Sequence, residues 1–197
     1  KRRVLAMYAE VRGGGGSAGA CAEFRAARDD LFAAHPQSPL QPEAREGFSG
    51  VPWFAHDPAW RVEAVMEPDA DGRELVIPTS TGDPTRFTRI GFVRPVLGGR
   101  QVSLAVYWLE GYGGGLFLPF RDAQAGVETY GGGRYLLDTV KGADLGTSGG
   151  GERLVLAFNS AYNPSCSYDP RWSCPLAPPE NRIDVAVTAG ERMRAWY

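Results

Sequence analysis

The sequence predicts a mainly β domain, an antiparallel β-barrel or sandwich of about eight strands with an N-terminal cap of two helices. Residues 1–40 carry apolar side chains at helical spacing. Residues 60–190 are instead short apolar runs separated by turns that contain Gly, Asp or Pro. Parallel strands need crossovers of about a dozen residues or more, and the segments here have no helical pattern, so we expect antiparallel pairing. The 197 residues suit one domain over 1–197.

The N-terminal cap is predicted to contain helices over residues 2–11 and 20–34. Each helix has apolar residues along one side, including Tyr8 and Val11 in the first and Phe24 in the second. A glycine-rich run separates the two helices and favours a break between them. Two prolines follow the second helix and end it, because proline cannot continue a helix.

The β core is predicted to contain eight strands, each a run of strand length bounded by turn residues. They cover residues 60–67, 74–79, 85–93, 101–110, 116–121, 134–140, 153–159 and 182–188. The run over 101–110 is apolar on both of its faces. A strand of this kind is typical of the interior of a sheet that is covered on both sides.

The composition excludes several classes of protein. Hydrophobic residues make up 43% and charged residues 22% of the chain, which is typical of a globular domain. The formal charge of −2 does not favour binding to the nucleic-acid backbone, which needs a basic surface. No apolar run approaches the ~20 residues that cross a bilayer. We see no signal peptide and an odd number of cysteines, so we expect a cytoplasmic protein that binds neither membrane nor nucleic acid.

The segment 158–181 is rich in proline and asparagine and contains two cysteines. Cys166 and Cys174 are separated by seven residues, and no second cysteine pair or nearby histidine completes a tetrahedral zinc site. We therefore expect no metal and no cofactor. Two interpretations remain: a disulfide worth roughly 2–3 kcal/mol, or two buried thiols in a reducing compartment. We expect the segment to form a rigid wall over one end of the β core, because its prolines restrict the backbone.

Polar side chains gather at the ends of the predicted strands, more densely than a simple β core requires. An arginine there would hold an anionic or carbonyl group of a small molecule by charge-assisted hydrogen bonds. The predicted ligand-binding residues are Arg121, Arg134, Tyr135, Asn159, Asn163, Glu180 and Asn181.

Catalytic roles are predicted within the same group, for acid–base chemistry without a metal. Glu128 or Asp122 would be the base, and Tyr130 or Tyr135 would be the acid. The glycines at 131–133 would let the backbone approach either a neighbouring strand or a ligand closely.

The alternative is a non-catalytic interaction or structural module in which the Arg/Asp/Glu network only locks the loops. Buried charges must be paired in either case, so the sequence leaves both functions open. This alternative predicts an exposed apolar patch for a protein partner. Its candidate residues are Trp53, Phe54, Trp60 and Trp172.

Three motifs carry a resemblance to a known family. They are FRAARDDLFAAHPQSPL (24–40), LPFRDAQAGVETYGGGRYL (118–136) and FNSAYNPSCSYDPRWSCPLAPPENRIDVAVTAGER (158–192). In this order they resemble the DUF1684 family of bacterial proteins, and the most similar members are actinobacterial. The resemblance implies no activity, substrate or catalytic residue, because the family has none assigned.

Overall fold

The N-terminal cap consists of two long helices followed by a short one. The computed structural model describes residues 1–82, 84–111 and 113–193. Its helices are α1 (Arg2–Gly13), α2 (Ala18–Ala34) and α3 (Pro42–Glu46). Ser17 caps α2 by accepting a hydrogen bond from the backbone N–H of Ala20 at 3.3 Å. The predicted two-helix cap is therefore confirmed. None of the described helices is long and apolar enough to cross a membrane.

The rest of the described chain is built on antiparallel strands. These are β1 (Arg61–Pro68), β2 (Glu74–Pro78), β3 (Pro84–Val93), β4 (Val96–Leu97), β5 (Arg100–Gln101), β6 (Leu104–Leu109), β7 (Gly115–Phe120), β8 (Arg134–Asp138), β9 (Thr147–Ser148) and β10 (Arg153–Ala157). The main sheet has the order β8-β7-β6-β3-β1-β10-β9, and β2 also pairs with β3. Strands β4 and β5 form a separate hairpin.

This architecture confirms the mainly β class and the antiparallel pairing. Seven of the eight predicted strands are present, with bounds that differ by a few residues and with 101–110 divided between β5 and β6. Strands β8 and β9 end the order of the main sheet, and no pairing between described strands joins them. A closed barrel is therefore not confirmed.

Strand β6 lies inside the sheet between β3 and β7, as its two apolar faces predicted. Leu104 and Val106 face the main core, which also contains residues of both long helices. Ala105 and Tyr107 belong to a second core on the other face. Burial on both faces explains why this run carries so few polar residues.

The predicted strand at 182–188 is the main correction to the fold. Ile183, Val185 and Val187 are buried and alternate with exposed residues, so the pattern of burial was predicted correctly. The segment nevertheless forms only an isolated bridge, between Arg121 and Arg182, instead of a strand. The carbonyl of Val187 accepts a hydrogen bond from the Arg134 side chain at 3.0 Å. Ile183 and Val185 hydrogen-bond to the backbone of Arg121 and Ala123, whereas at Val187 a guanidinium supplies the hydrogen bond.

Candidate ligand-binding site

A cavity of about 390 Å³ lies between the helical cap and the β core. Helix α1 contributes Val4, Met7 and Tyr8 to its wall, and α2 contributes Phe24 and Phe32. Val4 lies about one turn from Met7 and Tyr8, and Phe24 lies about two turns from Phe32, so one face of each helix points to the same space. The opposite wall comes from β8 and from the loop after β10, through Tyr135, Tyr162 and Trp172. Most of the wall is therefore aromatic or aliphatic.

Arg28 of α2 is the charged residue set most deeply into this wall. Its Nε donates to Glu191 Oε1, and the side chains are 13% and 0% exposed, respectively. The guanidinium carbon lies 4.8 Å from the centre of the Phe32 ring and 4.9 Å from that of Tyr162. Burial is the largest single effect and would lower the pKa of Arg28. The charge of Glu191, the hydrogen bond to it and the neighbouring Tyr168 and Tyr8 together outweigh burial and raise the pKa above its usual range. Arg28 therefore stays charged.

Glu191 is held in place by donors from three parts of the chain. Besides Arg28, it accepts hydrogen bonds at Oε2 from the backbone N–H of Asn163 at 2.6 Å and from the Tyr168 hydroxyl at 2.7 Å. With its oxygens occupied in this way, Glu191 fixes the position of Arg28. Among the described residues, the Arg28 guanidinium donates from Nε, and its two terminal nitrogens carry further N–H donors.

The ionisable residues that line the cavity are basic, apart from tyrosines. No aspartate or glutamate is among the described lining residues. Lys141 pairs with Asp138 at 3.5 Å and Arg3 with Asp30 at 3.1 Å, both partners lying outside the lining. The basic lining residues are Lys1, Arg3, Arg28, His35 and Lys141.

The tyrosines of the cavity wall are hydrogen-bond donors at neutral pH. Burial raises the pKa of Tyr8, Tyr135 and Tyr162. The Tyr135 hydroxyl donates to the carbonyl of Pro175 at 2.5 Å, and the Tyr162 hydroxyl donates to Asp138 at 3.3 Å. Their role in the wall is therefore shape and hydrogen bonding, because a phenol that keeps its proton cannot act as a base.

Arg134 and Asp122, two of the predicted site residues, form a buried network below the surface. Arg134 donates to Asp122 Oδ2 at 3.0 Å and to the carbonyls of Val187, Ala189 and Glu191. Burial lowers the pKa of Arg134 to about 10, against the opposing effect of Asp122. Asp122 Oδ1 accepts from the Thr129 hydroxyl at 2.5 Å. The hydrogen bonds described for this network all go to other protein groups. The network therefore holds the segment after Asn181 against β8.

The other predicted catalytic residues lie apart from the cavity. Glu128 is at the surface, where it pairs with Arg192 at 3.2 Å. The Tyr130 hydroxyl lies 3.8 Å from Cys166 Sγ. Neither Glu128, Asp122 nor Tyr130 is among the residues that line the cavity. The structure therefore does not bring the predicted acid and base together at one surface of this cavity.

The remaining predicted ligand-binding residues are divided among several places. Asn181 is buried and bonds the backbone of Ala105 and Pro119. Asn159 bonds the backbone of Asp57 in the same two-way manner. Glu180 pairs with Arg89 at 2.8 Å and accepts from Tyr107, and the Arg121 backbone pairs with that of Asn181. Tyr135 and Asn163 are the members of the predicted set that line the cavity.

The aromatic residues predicted to form an exposed patch are largely covered. Trp60 is buried, and Trp53 packs against the main core. Trp172 lines the cavity and donates from Nε1 to the carbonyl of Pro39 at 3.1 Å. None of the four, including Phe54, is among the exposed large hydrophobic residues. These four residues therefore do not form the exposed patch that was expected of them.

The two cysteines of the proline-rich segment are free buried thiols in this structure. The backbone N–H of Cys166 donates to Cys174 Sγ at 3.3 Å. Within the described part of the chain, no group of three or more His, Cys, Asp or Glu residues is arranged to hold a metal ion.

Comparison with known proteins places this architecture in a family. The model of a family described as "Protein of unknown function (DUF1684)" matches residues 46–192. The chain belongs to the DUF1684 family. The match contains the second and third of the three motifs that suggested the family, whereas the first motif, at 24–40, precedes it.

A solved structure supports the same relationship for the DUF1684 chain. The solution NMR structure of an uncharacterized protein from Haloarcula marismortui is 35% identical to it, with a TM-score of 0.63. The alignment covers 88% of this chain and 92% of that one. No curated protein matches the sequence. The bacterial and actinobacterial origin suggested by the motifs stays a prediction.

Sequence reasoning missed Arg28 and Glu191 in this DUF1684 protein. One signal for Arg28 was present: it lies four residues after Phe24 and four before Phe32, so a charged residue occupies the buried face of α2. A charge at such a position needs a partner. The partner, Glu191, lies 163 residues away and has no local signal.

Proposed function

We propose that this DUF1684 protein binds a small anionic molecule with an apolar body in the cavity between the cap and the β core. The proposal is carried by one observation. The cavity wall is largely aromatic, the charged residues among its described lining are all basic, and Arg28 packs against two of its rings. Small-molecule sites are concave and mostly apolar, with a few placed polar groups. The volume of about 390 Å³ suits such a ligand.

The anionic group of the ligand is expected to approach Arg28. One nitrogen of this guanidinium is engaged by Glu191, and the planar fork has further donors for a carboxylate. The Phe32 and Tyr162 rings pack against the guanidinium, and the Arg28 side chain is only 13% exposed, so an added hydrogen bond forms in a partly desolvated place where it is stronger than in water. Lys141 at the edge of the cavity adds to the attraction, because its side chain is more than half exposed and reaches solvent.

The proposal concerns binding and does not include acid–base catalysis. A base within reach of the ligand is required for such catalysis. The candidates Glu128 and Asp122 lie outside the cavity, and the tyrosines of its wall retain their protons. In this proposal the Arg134–Asp122 network stabilises the fold. This is the role that the non-catalytic alternative gave to the Arg/Asp/Glu network.

The test is a binding measurement with matched charged and neutral probes. Phenylacetate and hexanoate are compared with phenylacetamide and hexanol by isothermal calorimetry and thermal unfolding. The carboxylates are expected to bind and raise the melting temperature, since a ligand at a hundredfold excess over its dissociation constant adds about 2.7 kcal/mol. Binding of the neutral probes with equal affinity, or of none of the four, would overturn the proposal.

Two pairs of variants locate the binding. Val4→Trp fills the cavity from α1, whereas Val127→Trp adds the same bulk at an exposed site. Lys141→Gln removes a charge at the cavity edge, whereas Arg100→Gln removes an exposed charge elsewhere. Val4→Trp is expected to abolish carboxylate binding and Lys141→Gln to weaken it severalfold. Equal affinities within each pair would place the ligand outside this cavity.

A further inference from the structure

The segment that carries both cysteines is fixed along the hairpin that joins β2 and β3. The backbone N–H of Ser80 donates to the carbonyl of Cys174 at 2.9 Å, and that of Cys174 donates to Ser80 Oγ at 3.1 Å. Ser80 Oγ in turn donates to the carbonyl of Trp172 at 2.8 Å. A further bond joins Leu176 to Pro78 at 3.2 Å. Cys174 is thus held by its own backbone and by its neighbours.

The two cysteines are in direct contact within this segment. Cys166 follows Pro164 in a short 3₁₀ turn, Ser165–Ser167, and its backbone N–H points at Cys174 Sγ. The Tyr130 hydroxyl lies 3.8 Å from Cys166 Sγ. Cys166 is 7% exposed and Cys174 is 2% exposed, so Cys166 is the more exposed residue of the two.

The surroundings differentiate the two thiols. Hydrogen bonds, from Cys174 first and then from Ser80 and Tyr130, lower the pKa of Cys166 to about 6 against the effect of burial. The interaction with Cys166 and burial raise the pKa of Cys174. The other titratable groups that act on the pair are Tyr135 and Lys141. These opposite shifts favour one thiolate and one thiol in the pair at neutral pH.

We propose that Cys166 and Cys174 are a redox-active pair in which Cys166 reduces a small hydroperoxide and Cys174 then closes a disulfide. A thiolate with a protonated thiol beside it is the arrangement that this chemistry uses. The two cysteines are not among the residues that line the cavity. The inference therefore does not depend on the proposed function.

The reaction balances in two steps. The Cys166 thiolate attacks the terminal oxygen of the hydroperoxide, so that an S–O bond forms, the O–O bond breaks, and the leaving alkoxide or hydroxide takes a proton. Cys174 then attacks the sulfur of the Cys166 sulfenic acid. An S–S bond forms, and the oxygen leaves as water with the Cys174 proton. Two thiols and one hydroperoxide thus give one disulfide, one alcohol or water molecule, and one further water. An external thiol reverses the change by exchange.

Peroxide titration of the reduced full chain tests the pair. The protein is treated with one equivalent of hydrogen peroxide, alkylated, and mapped by mass spectrometry without reduction. The wild type and Cys21→Ser are expected to form the Cys166–Cys174 disulfide, while Cys21 of the wild type stays alkylatable. In Cys174→Ser, the reaction should stop at a Cys166 sulfenic acid that dimedone traps. Cys166→Ser should react at least about tenfold more slowly, because the thiolate is lost.

A second measurement does not depend on the variants folding. The rate of iodoacetamide alkylation of each cysteine is followed against pH in the reduced wild type. Cys166 is expected to be half-titrated near pH 6, and Cys21 far higher because burial raises its pKa.

Equal oxidation rates for the wild type and a folded Cys166→Ser protein would overturn the proposal. So would an alkylation midpoint of Cys166 that coincides with that of Cys21, or disulfide formation that occurs only in denaturant.

Discussion

Arg134 and Asp122 form an ion pair at 3.0 Å in which each side chain is only 1% exposed. The pair ties β8 to the loop after β7, and the remaining donors of Arg134 bind the segment after Asn181. In the sequence these two residues looked like members of a catalytic group. In the structure they hold the segment after Asn181 against the sheet. Buried ion pairs and active sites use the same residue types, and only their surroundings distinguish them.

Asp122→Asn is expected to destabilise the protein by about 3–5 kcal/mol, because it leaves the charge of Arg134 buried without its partner. Glu128→Gln is the matched control, since Glu128 pairs with Arg192 at the surface with 41% of its side chain exposed. It should change stability by no more than about 1 kcal/mol. Denaturation by urea measures both. Similar losses in the two variants would contradict the structural role given to Asp122.

Asn181→Leu should remove three hydrogen bonds at once. Asn181 Oδ1 accepts from the backbone N–H of Ala105 at 2.8 Å, and Nδ2 donates to the carbonyls of Ala105 at 2.9 Å and Pro119 at 2.7 Å. Backbone groups of two strands then lose their partner, at a cost of about 2–4 kcal/mol. Asn181→Asp, of the same shape, should be no better, because a carboxylate repels the two carbonyls. Thermal unfolding of either variant at the wild-type temperature would refute this role.

Gly133→Ala is expected to cost about 2 kcal/mol or more. Gly133 has a φ of +95°, and an added Cβ would lie 2.7 Å from the carbonyl of Phe120 and from Ala177 Cβ. Gly131→Ala is the control, because its Cβ would meet nothing closer than 3.7 Å, and its effect should stay within about 1 kcal/mol. Chemical denaturation compares the two. The sequence predicted that the backbone of this turn would lie close either to a neighbouring strand or to a ligand. In the structure it lies close to Phe120 of β7.

The stability of the reduced protein should rise with pH from about pH 6 towards the ordinary thiol range, relative to that of Cys166→Ser. The pKa of Cys166 is lowered to about 6 in the folded protein. Between that value and the ordinary pKa, the unfolded chain binds more protons than the folded one, so raising the pH favours folding. The contribution is lost as the pH falls through about 6.

Calorimetric scans in a reductant at several pH values measure this difference. Cys21→Ser is the control. The stability difference between wild type and Cys21→Ser should not rise with pH over this range, because burial raises the pKa of Cys21. A difference between wild type and Cys166→Ser that is independent of pH would show that Cys166 keeps its proton when folded.

The sequence by itself determined the elements whose signals are local. The apolar spacing of α1 and α2, the continuous apolar run of β6 and the turn residues between strands predicted the cap and the antiparallel sheet, as observed. The alternation of Ile183, Val185 and Val187 predicted their burial correctly as well. These features follow from side-chain period and turn chemistry, which operate over a few residues.

The tertiary structure alone decided which groups are partners. An extended segment needs hydrogen-bond partners, but its sequence does not state whether they come from a strand or, as at Val187, from the side chain of Arg134. The candidate site has the same character. Arg28 and Glu191 are joined across 163 residues, and the predicted residues were divided because each found its partner elsewhere. Local patterns set which face is buried, whereas the pairing of buried charges depends on how distant segments pack.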